Sequence, residues 1–166
     1  DVTSIGVTSA NPYEPIDVTS LTNEQKEKVD TLNLLGILKE QATGTAEIDQ
    51  LITKFVLRRL GQIDDPTAVT LVLDNIVTLY PVFKDVLGYL VAVKNISREE
   101  RHKVGAQLLE LIDSSTIGHL EYHRCWILNA FTQNQEWNND DRFAALYQRY
   151  SDQFTRRELI AALGRA

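Results

Sequence analysis

At 166 residues, with 24% charged and 43% hydrophobic side chains, the chain has the size and composition of one globular domain. A chain of this length buries roughly 70% of its unfolded surface. Its net charge of −6 is uneven: residues 1–50 hold nine acidic and three basic side chains, and residues 51–166 hold fourteen of each. That neutral body lacks the surplus of an extended basic face for duplex nucleic acid. No apolar run approaches the ~18 residues a membrane helix needs. The first twenty residues lack the basic start and apolar stretch of a signal peptide. The single cysteine, Cys125, excludes an internal disulfide. Its helical context predicts a small buried side chain in a reducing, cytoplasmic setting. Methionine is absent, even at position 1, so the expectation is a piece of a larger protein or a processed product.

Residues 1–20 (DVTSIGVTSANPYEPIDVTS) have no helical period, and Pro12 and Pro15 disfavour helix. They read as an extended arm or linker, ahead of an α-helical repeat domain over residues 21–166. The first helix is expected from Thr22, where Thr22 and Gln25 have capping-box spacing, with Val29, Leu32, Leu35 and Leu38 inward and its end near Gly44. Thr45 is the expected cap of the second, whose stripe is Ile48, Leu51, Ile52, Phe55, Val56 and Leu60. Asp65 followed by Pro66 is a start signal for a third, carrying Val69, Val72, Leu73, Ile76, Val77 and Tyr80. Pro81 ends that helix and opens a fourth, with Phe83, Val86, Leu87, Leu90 and Val91 inward.

Ser97 and Glu100 form a second capping box ahead of Val104, Leu108, Leu109 and Ile112. A sixth helix is expected over residues 117–132, with Leu120, Ile127 and Phe131 inward and Trp126 at a packing seam. The polar loop QNQEWNN carries Trp137, which is expected to cover the apolar edge between helices six and seven. The seventh buries Phe143, Leu146, Tyr147 and Tyr150. Thr155 and Glu158 read as a third capping box, opening a last helix with Leu159, Ile160 and Leu163 inward.

Helical endings recur along this series. Residues 55–63 read FVLRRLGQI, 88–96 GYLVAVKNI, 125–133 CWILNAFTQ and 157–166 RELIAALGRA, at offsets of 33, 37 and 32 residues. Such spacing is the mark of stacked helical hairpins, each burying its apolar face against its neighbours. The predicted architecture is all-α: about eight helices in a short, right-handed, HEAT-like superhelix of antiparallel hairpins. An irregular α bundle is the alternative.

Little in this pattern carries chemistry. His119 and His123, in HLEYH, share a helix face and could grip a metal with Glu121 or Cys125. The order is not that of a zinc protease helix, and His123 lies on the Leu120–Ile127 stripe, where a hydrogen-bonded core histidine is the commoner role. The acidic pairs Asp64-Asp65, Glu99-Glu100 and Asp140-Asp141 sit at helix starts, where they favour the helix dipole. General acid–base work needs carboxylates facing one another across a cleft. Arg58-Arg59, the basic stretch at residues 98–103, and Arg156-Arg157 with Arg165 read as solvated helix faces beside acids. No phosphate loop or nucleophile elbow is present, so the expectation is a non-enzymatic chain without cofactor or metal.

The runs LEYHRCWILNAF and FTRRELIAALGRA, with the tryptophan-bearing loop between them, resemble the helical region that follows the polymerase core in bacterial reverse transcriptases linked to phage defence. The likeness covers about the last fifty residues. It implies an accessory, non-catalytic domain of a larger RNA-directed DNA polymerase-like protein that assists RNA binding or assembly in antiviral defence. Ile63-Asp64-Asp65-Pro66 is not the paired-aspartate polymerase motif, so no catalytic residue carries over. The implied partners are RNA or a polymerase core in the same parent chain, with a homo-oligomer also open. The implied contacts are Arg124, Arg142, Arg149, Arg156, Arg157 and Arg165. A protein–protein scaffold unrelated to nucleic acid is the alternative.

Overall fold

The computed structural model describes residues 33–114, 121–134, 137 and 140–164. The N-terminal arm, the Thr22–Gln25 capping box, His119, Leu120 and Arg165 fall outside them. The described residues are all-helical, with eight α-helices, two short 3-10 turns and no strand. The chain divides into two compact units, residues 1–95 and 96–166.

In the first unit, α1 spans Leu34–Thr43 and α2 spans Gln50–Gln62. The helix expected to run on from Thr22 is not continuous. Asn33 is extended, with φ −79° and ψ 91°, and its carboxamide oxygen accepts the Gly36 N–H at 2.9 Å. An Asn that bonds the N–H three residues ahead satisfies one of the donors a helix start leaves free. Thr45 does not cap α2. Asp49 does, four residues later, accepting the Leu51 and Ile52 N–H groups at 3.1 and 3.2 Å. Gln41 fixes that position by accepting the Asp49 N–H at 2.7 Å.

The end of α2 is closed by an aspartate. The Asp65 N–H reaches back to the Leu60 carbonyl and the Asp64 N–H to that of Gly61, a Schellman closure with Asp64 at φ 53°. Aspartate tolerates this left-handed backbone better than most side chains. Its carboxylate then accepts the N–H groups of Lys94 and Asn95 at 2.7 and 3.1 Å. Asp64 is therefore a helix-end clip and not the helix start its pairing with Asp65 suggested. Asp65 does cap forward, accepting the Thr67 N–H at 2.9 Å, with Pro66 next.

The expected third helix is much shorter than its stripe. A 3-10 turn at Pro66–Ala68 leads into α3, only Val69–Asp74, followed by turns and a second 3-10 turn at Tyr80–Val82. Pro81 lacks an N–H and its ring would meet the Val77 carbonyl of a continuing helix. Asn75 also turns its side chain back onto the Leu71 carbonyl at 2.9 Å. The phase of the stripe is lost: Val77 is 55% exposed and Leu79 is buried instead. Helix α4, Phe83–Ala92, packs chiefly on α2 and buries Phe83, Val86, Leu87, Tyr89 and Leu90.

A buried ion pair joins these two helices. Arg58 Nε donates to Asp85 Oδ1 at 2.8 Å, and the Asp85 side chain is 1% exposed. Burial pushes the Asp85 carboxyl above its usual 3.8, against the bond and charge of Arg58. The folded state holds this proton to higher pH than the unfolded chain does, so the group's contribution to stability falls as pH rises through the folded pKa. Arg58 Nη2 is buried without a partner, so the pair is incompletely satisfied.

The second unit contains α5 (Arg98–Asp113), α6 (Glu121–Thr132), α7 (Asp140–Arg149) and α8 (Gln153–Leu163). Ser97 caps α5 as its spacing predicts, accepting the Glu100 N–H at 3.1 Å. The main packing is α6 on α8. Trp137 is buried, edge-on to Phe131 at 5.6 Å, and Phe131 meets Phe143 at 5.4 Å. Its backbone also presses on α5, where a Cβ at Gly105 would lie 2.8 Å from the Trp137 carbonyl. Only a glycine admits the loop there. The last helix starts differently from expectation. Asp152 is its cap, accepting the Thr155 N–H at 2.8 Å, and Thr155 is buried inside the first turn. Ile160 and Leu163, expected inward, face outward, and Leu159 and Ala162 are the residues buried.

Two stability outcomes follow. Asp85→Ala strands the Arg58 charge and is expected to cost about 3–5 kcal/mol, whereas Arg58→Met with Asp85→Leu stays within about 1 kcal/mol of the parent or exceeds it. Gly105→Ala forces a shift of backbone and is expected to cost roughly 1–3 kcal/mol. Urea unfolding of the three variants checks both.

Candidate functional site

Of the arginines singled out in the sequence, Arg124, Arg149 and Arg156 gather where α7 meets α8. Tyr150, just past the end of α7, lies between two of them: the Arg124 guanidinium carbon is 4.2 Å from the ring centroid and that of Arg149 is 5.2 Å. Guanidinium planes favour aromatic faces, because the ring quadrupole attracts the cation. The Tyr150 hydroxyl donates to the Ile112 carbonyl at 3.2 Å, tying the ring to the last turn of α5.

Arg124 is the most enclosed, 8% exposed. Its Nη2 donates to Asp152 Oδ1 at 3.2 Å and its Nε to the Thr155 hydroxyl at 3.4 Å. Asp152 thus serves two helices at once, as N-cap of α8 and as counter-ion to α6. Partial burial pushes its carboxyl up, but the bonds from Thr155 and the charge and bond of Arg124 outweigh that and hold it below 3.8. The stability it brings is present above 3.8 and is lost as pH falls through the folded pKa.

Arg142 and Arg149 lie seven residues apart on one face of α7, and both donate to Asp113 at the end of α5, Arg142 at 3.3 Å. Arg142 also reaches the Ala106 carbonyl at 3.3 Å. Arg156 closes the C-terminus of α7, donating to the Tyr150 carbonyl at 2.8 Å and to that of Tyr147 at 3.2 Å, with its guanidinium over the Tyr147 ring at 4.4 Å. These carbonyls have no partner within their own helix. Tyr147 and Tyr150, expected in the core, are half-buried and carry arginines on their faces. Arg157 differs from the rest: it is exposed on α8, 5.5 Å from the Phe154 ring, and no ion pair to it occurs among the described residues.

On α6, His123 is 1% exposed, with the Tyr122 and Trp126 rings at 4.1 and 5.3 Å. No group of three His, Cys, Asp or Glu side chains placed to hold a metal occurs among the described residues. Cys125 is half-buried, and burial followed by the charges of Glu158, Asp152 and Glu121 pushes its thiol above 9.0. It is therefore a protonated thiol at neutral pH, not an activated thiolate. No described helix is long and apolar enough to cross a membrane.

Sequence reasoning located the arginines and missed their counterparts. The pairing of Arg124 with Asp152 and of Arg142 and Arg149 with Asp113 spans 28 to 36 residues. Those separations are close to the spacing of the helical endings, which is the one signal that could have suggested them. Among the described residues, three of the six exposed large apolar side chains lie on α8, where Phe154 is 53% and Ile160 57% exposed, with Leu163 at 36%; the others are Ile63, Val77 and Tyr122.

No protein-family model, curated protein or solved structure matches this chain.

Burial decides which arginine matters for stability. Arg124→Ala leaves Asp152 half-paired and strips the Tyr150 face, at an expected cost of about 2–4 kcal/mol. Arg149→Ala removes a half-exposed contact and is expected to cost less than about 1 kcal/mol. Denaturant titration measures both, and in Arg124→Ala an NMR titration should find the Asp152 carboxyl shifted back toward 3.8.

Proposed function

We propose that this chain is a non-catalytic helical-repeat domain whose task is assembly, holding a protein partner by apolar helix surface. The observation that carries this reading is a contrast within the second unit. Arg124, Arg142, Arg149 and Arg156 are engaged by carboxylates, carbonyls and rings of their own fold, while α8 leaves Phe154 and Ile160 uncovered around Arg157. Aromatic and arginine side chains at the centre of an apolar patch are the composition of protein interfaces. Phosphate binding draws instead on cations free to displace counterions. Residues 51–166 are electrically neutral, without the cationic surplus that draws a polyanion.

The resemblance of residues 119–131 and 154–166 to the helical region of phage-defence reverse transcriptases makes a polymerase core the first partner to try. In that setting the domain is an accessory part, and its contribution is to join proteins and not to grip the template.

A titration with single-stranded and duplex RNA at low and at physiological salt tests the choice of partner. The expected result is weak binding at low salt that vanishes at physiological salt and is indifferent to Arg157→Ala. Tight binding that falls steeply with salt and drops on Arg157→Ala or Arg142→Ala would replace this reading with RNA contact.

A further inference from the structure

We infer that the uncovered face of α8 takes the same face of a second copy of this chain, in an antiparallel pair about a two-fold axis. This rests on the reading of α8 as the contact surface and names its occupant. Phe154, Arg157, Glu158 and Ala161 stand at i, i+3, i+4 and i+7, which places them on one side of the helix. Phe154, Arg157 and Ala161 are exposed and Glu158 is half-exposed. A two-fold contact is self-complementary: each residue faces a fixed counterpart, which faces it in return. The register that sets Phe154 against Ala161 of the second copy also sets Arg157 against its Glu158. One alignment therefore matches a large side chain to a small one and a cation to an anion, twice over. Shifted so that Arg157 meets Arg157, the pair would place like charges together. The Phe154 ring carries Arg157 beside it, 5.5 Å away. Exposed Ile160 borders the strip.

The area involved is small. A helix of 11 residues is about 16 Å long, and such a strip falls well short of the ~800 Å² per partner of a standard interface. The pair is accordingly weak and governed by concentration.

Light scattering and sedimentation of the whole chain, from about micromolar to about millimolar, test this. The expected result is a monomer–dimer equilibrium that Phe154→Glu abolishes. Arg157→Glu weakens it by about tenfold, and Arg157→Glu combined with Glu158→Arg restores it. Circular dichroism of each variant confirms that the helices persist, which the exposure of these side chains leads us to expect. A parent chain that stays monomeric throughout overturns the inference, and so does a dimer indifferent to Phe154→Glu. Failure of the charge swap to restore association overturns the register. The RNA titration is independent of all three, so a monomer that ignores RNA ends the self-pair while leaving the assembly reading in place.

Discussion

Short helices have many ends, and in this fold every helix end is a problem of unpaired backbone. Helices of six to sixteen residues leave a large share of their N–H and C=O groups without partners in the helix itself. The chain answers with short polar side chains at fixed points: Asn33, Asp49, Asp65, Ser97 and Asp152 each accept from the first turn of a helix. At the opposite ends, Asp64 and Arg156 reach from one helix terminus to another. Because the same groups that close a helix also tie it to a second element, capping here sets tertiary geometry and not just helix length.

Asp152 and Asp85 show what burial does to a carboxylate. Asp152 keeps water on one side and collects two bonds from Thr155 and an arginine, so its charged form is favoured. Asp85 is enclosed against α2 with one arginine, and burial outweighs that partner. The two acids therefore pull stability in opposite directions as pH changes.

Arg124, Arg142, Arg149 and Arg156 have structural work to do. They stack on Tyr147 and Tyr150, neutralise Asp113 and Asp152, and close the end of α7. A guanidinium satisfied in this way is a poor lure for phosphate, because a contact with RNA would have to replace a bond already made. The protein contact proposed above rests instead on the exposed side of α8, where Phe154 and Ile160 flank Arg157.

The sequence by itself determined the helical class, about eight helices among the described residues, and most of the core there, because a period of 3.6 residues in apolar side chains can be satisfied in few ways. It also determined the start signals at Asp65 and Ser97, whose partners lie within three residues. Tertiary structure decided everything whose partner is distant in the chain. Thr45 and Thr155 are adequate caps locally, yet Asp49 and Asp152 take their places because Gln41 and Arg124 hold them there. Pro81 was visible, but the loss of helical phase before it, which exposes Val77 and buries Leu79, depended on how the turn packs. The arginines could be counted from the sequence, whereas their engagement could not, since an ion pair across 28 residues leaves no local periodicity to read.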